Sequence, residues 1–167
     1  MATYRLRVNL GDEAANVYAI FGSPDLAMVL PAAFQVPGFG ADIGGVNPAF
    51  FAFNADAEYD SWLTVGPTDG VEAGPPAGGN ERLATIPGCI EAEDLVRCMG
   101  LSEWTAEAAF SCSDCAMFWV DPDDGPSGDV VVAQITVAAG SSGRVSMGLQ
   151  GRSVDGADWT GAARFDW

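Results

Sequence analysis

The chain contains no histidine and no lysine. Without His it lacks the commonest general base and a common neutral metal ligand, which excludes Ser-His-Asp and Cys-His catalysis and imidazole zinc sites. Basic charge of any kind is scarce. The only bases are Arg5, Arg7, Arg82, Arg97, Arg144, Arg152 and Arg164, against 23 acids, for a net charge of -16. Such a surface repels the phosphates of nucleic acid and the anionic faces of membranes, and it suits cations, basic partners or high salt. Acidity also keeps molecules apart in solution, so solubility is a sufficient explanation of part of it. Long apolar runs are missing as well. Nothing approaches the roughly 18 residues of a membrane-spanning helix, so no insertion is expected. The stretch from Met1 to Leu10 alternates and carries charge, unlike a signal peptide, and an exported chain is expected to have had its leader removed.

What is present argues for a β-rich fold. Hydrophobic residues make up 49% of 167 residues, enough for one domain over 1–167 with a substantial core. The 21 Gly and 10 Pro punctuate short segments rather than long helices. Thr3 to Leu10 alternates, with Tyr4, Leu6, Val8 and Leu10 on one side and Arg5, Arg7 and Asn9 on the other, the period of a half-buried strand. Asn16–Phe21, Leu26–Leu30, the aromatic run opening at Phe50, Tyr59–Val65 and Ala116–Val120 read as further strands. Asp129–Ala138, Gly143–Gln150 and Ala157–Phe165 complete the set. DVVVAQITVA (129–138) is the strongest, a β-branched run suited to the centre of a sandwich. Residues 34–48 and 66–80 are Gly/Pro-rich loops, the second a flexible excursion, and Ile90–Met99 is patterned for one short helix. Roughly nine to eleven short strands without alternating helices predict an all-β antiparallel sandwich, jelly-roll or Ig-like, with long loops.

Four cysteines, Cys89, Cys98, Cys112 and Cys115, fall in the segment 89–115, which reads as a cysteine-containing insertion. An even local number suits two disulfides and an oxidising compartment. Three pairings exist; Cys89–Cys98 with Cys112–Cys115 is preferred because both close short loops. Four thiolates are also a zinc set, but only Cys112-Ser-Asp-Cys115 has knuckle spacing. As a redox motif it carries an acid between the sulfurs and no helix-forming run after it.

The segments VYAIFGSP (17–24), GGVNPAFFAFNADAEYDSWLTVG (44–66), MFWVDPDDGPSGDVVVAQITV (117–137) and LQGRSVDGADW (149–159) resemble a β-rich module repeated in predicted extracellular surface or matrix proteins of unicellular marine algae, with related modules in bacterial exported proteins. The likeness covers most of the chain and departs over 71–115, so it adds nothing to the cysteines. It implies an extracellular setting, a modular architecture and no catalytic mechanism.

With His absent, paired carboxylates are the remaining catalytic apparatus, with Asp56, Glu58 and Asp60 as candidates for glycoside hydrolysis. Calcium is a more specific expectation, since Ca²⁺ takes many oxygen ligands from loops rich in carboxylates. Asp121, Asp123, Asp124 and Asp129 lie in the Pro/Gly-constrained loop DPDDGPSGD. Asn54, Asp56, Glu58 and Asp60 recur at period two, so an extended chain would line one face with them. Asp155 and Asp158 flank Gly156 in a turn. The plain alternative is turn chemistry, which favours Asp for its bonds to backbone. One or both of Trp62 and Trp119 read as core, while Trp104 and Trp159, beside polar residues, are expected at the surface as a sugar-stacking pair. The sequence therefore points to a non-catalytic structural or adhesion module of a cell-surface or matrix assembly, with acidic loops as candidate Ca²⁺ sites. Its partners would be neighbouring domains or copies of itself. A carbohydrate-binding module that takes polysaccharide is the alternative, and a carboxylate-dependent hydrolase the third reading.

Overall fold

The β-branched run seen in the sequence forms strand β8 (Asp129–Val137), buried on both faces from Val130 to Thr136. A computed structural model of the chain describes residues 1–70, 83–86 and 99–167. In it β8 is the middle strand of a three-stranded antiparallel sheet, between β1 (Ala2–Asn9) and β4 (Trp62–Leu63). Leu6 pairs with Ala133 and Arg7 with Val131, so Val132 is the extra residue of a bulge. The bulge shifts the inward phase of β8, and Val130, Val132, Ala133 and Ile135 all reach the core.

The second sheet is larger. It contains β2 (Ala19–Gly22), β3 (Met28–Leu30), β5 (Leu83–Ile86), β6 (Phe110–Cys112), β7 (Cys115–Trp119), β9 (Arg144–Arg152) and β10 (Asp158–Asp166). Strand β10 pairs with β9 along its whole length, and the other edge of β9 is shared by β2 and β3, which lie in line. Their outer edge is met by β7 and β6, also in line, and β5 follows β7. Gly22 stands opposite Cys115 and Met28 opposite Cys112. A Cys112–Cys115 disulfide, with the Cα atoms 6.1 Å apart, closes the Ser113-Asp114 excursion between the two half-strands. Only glycine fits at position 22, because a Cβ there would collide with the Cys112 carbonyl. The preferred Cys89–Cys98 pairing lies outside the described residues.

The two sheets close on one core. Leu63, Val132 and Ile135 from the small sheet meet Ile20, Met117 and Met147 from the large one, all without exposed surface. Each such side chain contributes about 1.5–3 kcal/mol through burial. The sandwich expected from the sequence is thus present, with its strongest strand at the centre.

Several local expectations differ. The Phe50 run is not a strand: Pro48–Ala52 is a single 3-10 turn started by Asn47, whose side chain accepts from Ala49 N–H, with Pro48 in the first position. The strand predicted over Tyr59–Val65 contracts to Trp62–Leu63. Strands β5 and β6 were not anticipated, and β6 lies inside the segment read as an insertion. That segment also gives the core Met99, Leu101, Trp104 and Phe110. The predicted helix Ile90–Met99, apart from Met99 itself, and most of the 66–80 loop lie outside the described residues. Among the described residues no helix is long and apolar enough to cross a membrane.

Candidate functional site

Burial of β8 on both faces requires a cover for the side turned away from the sandwich. Residues 34–60 supply it as a lobe with its own small core of Val36, Val46 and Ala57, backed by Phe34, Ala41 and Phe51. The attachment uses buried polar groups. Gln134 of β8 donates from Nε2 to the carbonyls of Glu58 (3.0 Å) and Asp60 (2.8 Å), and its Oε1 accepts from Arg5 Nε at 3.0 Å. Ser61 Oγ accepts from Thr136 N–H at 2.9 Å, and Phe34 N–H donates to the Thr136 carbonyl at 2.8 Å.

Asp60 is the internal fastener of the lobe. It has no exposed surface, and both carboxylate oxygens are occupied: Oδ1 accepts from Val36 N–H at 2.8 Å and Oδ2 from Ala41 N–H at 2.7 Å. This clasp closes the loop Pro37-Gly-Phe-Gly40, and a Cβ on Gly40 would stand 2.7 Å from Asp60 Oδ2. Burial raises the Asp60 pKa against the lowering effect of its N–H donors. Half-buried Asp42 lies close enough to feel it. Burial first, and the Asp60 charge second, push the Asp42 carboxyl up to about 6. Asp42 lines an open cleft of about 420 Å³ with Gln35, Ser102, Trp104 and Thr105.

The outer surface of the lobe is aromatic. Phe39, at the tip of the loop that Asp60 closes, is 38% exposed; Phe50 is 42% and Phe53 78% exposed. The Phe39 ring centroid is 5.7 Å from that of Phe50 and 6.5 Å from that of Phe53, the latter pair stacked. Tyr59, 43% exposed, ends the neighbouring 3-10 turn Ala55–Tyr59, which also carries exposed Asp56 and Glu58. Large apolar side chains grouped outside a core mark contact surfaces more often than isolated ones do. No periodicity pointed to this cluster. The aromatic run was visible in the sequence, but it was assigned to a strand.

The predicted site residues are dispersed. Asn54 Oδ1 accepts from Asp56 N–H at 3.1 Å and starts a turn, so the period-two face expected over 54–60 does not form: Asp60 points inward while Asp56 and Glu58 point out. In the 121–129 loop, Asp121 starts the turn Pro122–Asp124 by accepting from Asp123 N–H at 3.1 Å. Asp123 pairs with Arg152 at 2.9 Å, Asp129 pairs with Arg7 at 3.0 Å, and Asp124 is exposed. Asp158 pairs with Arg152 at 2.6 Å and accepts from the Tyr18 hydroxyl at 3.1 Å. The Asp155 carboxyl is held below its usual range by the Ser153 hydroxyl and then by Ala157 N–H. Among the described residues no three acidic or sulfur ligands gather at one point.

The tryptophan pair also separates. Trp104, expected at the surface, is buried at 1% exposure with its indole N–H donating to the Pro31 carbonyl at 2.7 Å. The 3-10 turn Leu101–Glu103 carries it into the core, and the one Pro31 carbonyl satisfies its polar edge. Trp159 is half-buried, its N–H shared by the carbonyls of Arg152 and Asn16, beside an open cleft lined by Asp12, Glu13 and Ser153. Trp62 and Trp119, of which the sequence placed one or both in the core, are both buried. Comparison with models of known protein families, with curated proteins and with solved structures gives no match to this chain.

Proposed function

We propose that this chain is a non-catalytic structural or adhesion module of an extracellular assembly, and that it docks to its neighbour through the 34–60 lobe. The observation that carries this reading is the exposed Phe39, Phe50 and Phe53 cluster. Rings displayed on a fastened loop and on a capped turn give contact area at little entropic cost. The Cys112–Cys115 disulfide supports an oxidising compartment. The Asp60 carboxylate argues for structure rather than catalysis, because it has no exposed surface and both its oxygens hold backbone N–H groups. A nucleophile or general acid must reach a substrate.

The test is adhesion. Beads coated with the chain are assayed on immobilised extracellular-matrix proteins and on polysaccharides, beside a Phe39→Ser, Phe50→Ser, Phe53→Ser variant. Expected is retention on protein surfaces that the variant loses while its melting temperature is kept. Equal retention of the two chains would refute the lobe as the docking surface. Retention on polysaccharide that follows Trp159→Ala instead would favour the second reading, a carbohydrate module using the cleft beside Trp159.

A further inference from the structure

From the charge around the aromatic cluster we infer that its partner is a protein surface presenting arginine or lysine among apolar side chains. This rests on the reading of the lobe as a docking surface and adds the chemistry of what docks there. The sequence has no basic residue between Arg7 and Arg82, so the whole lobe carries acids alone. Asp56 and Glu58 are exposed on the turn packed beside the one that carries Phe50. Arg5 of β1 is exposed but already engaged, with its guanidinium carbon 6.0 Å from the centroid of the Trp62 ring and its Nε donating to Gln134. It lies on the sheet and not in the 34–60 segment, which has no basic residue of its own.

Phenyl faces are electron-rich, and they attract guanidinium and ammonium groups placed over them. The flanking carboxylates attract the same groups and would leave an acidic partner repelled. A purely apolar partner would bring Asp56 and Glu58 against a surface that cannot replace their water, which disfavours it. A second copy of the chain is disfavoured too, since it brings another -16 and the same acidic lobe. Anionic bilayers are repelled for the same reason. A basic and apolar protein surface is the occupant that satisfies both the rings and the carboxylates.

The experiment uses the full chain with short synthetic peptides of alternating Arg-Leu, Ser-Leu and Glu-Leu sequence, and with neutral phosphatidylcholine vesicles. Binding is read by isothermal titration. The Arg-Leu peptide is expected to bind at least about tenfold tighter than Ser-Leu, with Glu-Leu weakest. The Phe39→Ala, Phe53→Ala variant should lose about tenfold for Arg-Leu, whereas Phe53→Tyr keeps the ring and the affinity. Asp56→Asn with Glu58→Gln should weaken Arg-Leu binding and reduce its dependence on salt. Val154→Ala, which trims another exposed apolar side chain away from the lobe, should change nothing. If Ser-Leu binds as well as Arg-Leu and both depend on the rings, the lobe docks but the cationic partner is refuted. If Arg-Leu binding ignores the ring substitutions, attraction is diffuse and both readings fall. Ring-dependent partition into the vesicles in preference to the peptides overturns the proposal in favour of a bilayer, and failure of every probe to bind overturns it outright.

Discussion

Strands β8 and β9 are held along their length by backbone ladders and a shared apolar core, whereas the lobe over β8 is held by a few side-chain bonds and scattered backbone bonds such as those of Phe34 to Thr136 and Gly44 to Leu63. In the sandwich, β8 pairs with β1 from Asp129 to Val137 and β9 with β10 from Arg144 to Arg152 through backbone groups, so removing one side chain leaves the ladder in place. In the lobe, the Asp60 carboxylate takes two backbone N–H groups, and the Gln134 amide takes two carbonyls. The small core of Val36, Val46 and Ala57 adds little burial beside that of the sandwich. The difference separates two tasks. Regular pairing supplies a rigid base, and a fastened irregular segment places aromatic rings where a strand, with its alternating faces, would turn half of them inward. A segment of this kind is expected to open at lower free energy than the ladders beneath it.

Substitutions in the two regions test that separation. Ile135→Ala, at a position with no exposed surface in the middle of β8, should cost about 3 kcal/mol. It should lower the urea midpoint equally by fluorescence and by circular dichroism, because the sandwich and the lobe lose the same support. A transition in which the two probes part company would mean that the regions unfold separately. Asp60→Ala should cost about 2 kcal/mol, since it strands the buried N–H of Val36 and the half-buried N–H of Ala41, partly offset by removing a buried charge. Its signature is local: amide exchange at Val36 and Ala41 accelerates while β8 and β9 stay protected. Uniform loss of protection would show that the clasp supports the whole molecule and would erase the contrast between the two regions.

The same division explains what was legible in the sequence. Alternation found β1, and a β-branched run found β8, because a strand in a half-buried or central place must carry those patterns. One or both of Trp62 and Trp119 were placed in the core by their apolar neighbours, and both are buried. Trp104 was misplaced because its neighbours in sequence, Glu103 and Thr105, are polar, while the Pro31 carbonyl that satisfies its N–H is distant in the chain. The period-two acids of 54–60 were misread for a related reason. Asn54 starts a turn and Asp60 bonds to Val36 and Ala41, and such long-range side-chain bonds leave no periodic trace. The aromatic run at Phe50 reads as a strand from its side chains alone, and Pro48 after Asn47 is the local signal for the turn that forms instead.

The smallest expected effect concerns Asp42, and its sign separates burial strain from general acidity. Its carboxyl is pushed up to about 6 in the folded chain from an ordinary value of 3.8. Between those values the folded chain holds a proton that the unfolded chain has released, so stability falls as pH rises through the window and then levels off. Asp60, raised in the same direction, adds to the slope. Asp42→Asn keeps a neutral side chain at every pH, so it should match the parent near pH 4 and exceed it near pH 7. A full conversion at 1.36 kcal/mol per pH unit overstates the gain for a half-buried group, and screening brings the expected advantage to about 1–2 kcal/mol. Urea midpoints at a series of pH values read it directly. Exposed Asp25→Asn is the control, because it relieves the same net charge without relieving burial. If Asp25→Asn stabilises as much as Asp42→Asn, the effect is general repulsion. If Asp42→Asn is less stable than the parent near pH 7, the Asp42 carboxylate is a favourable partner in the lobe, and the strain assigned to the pair is absent.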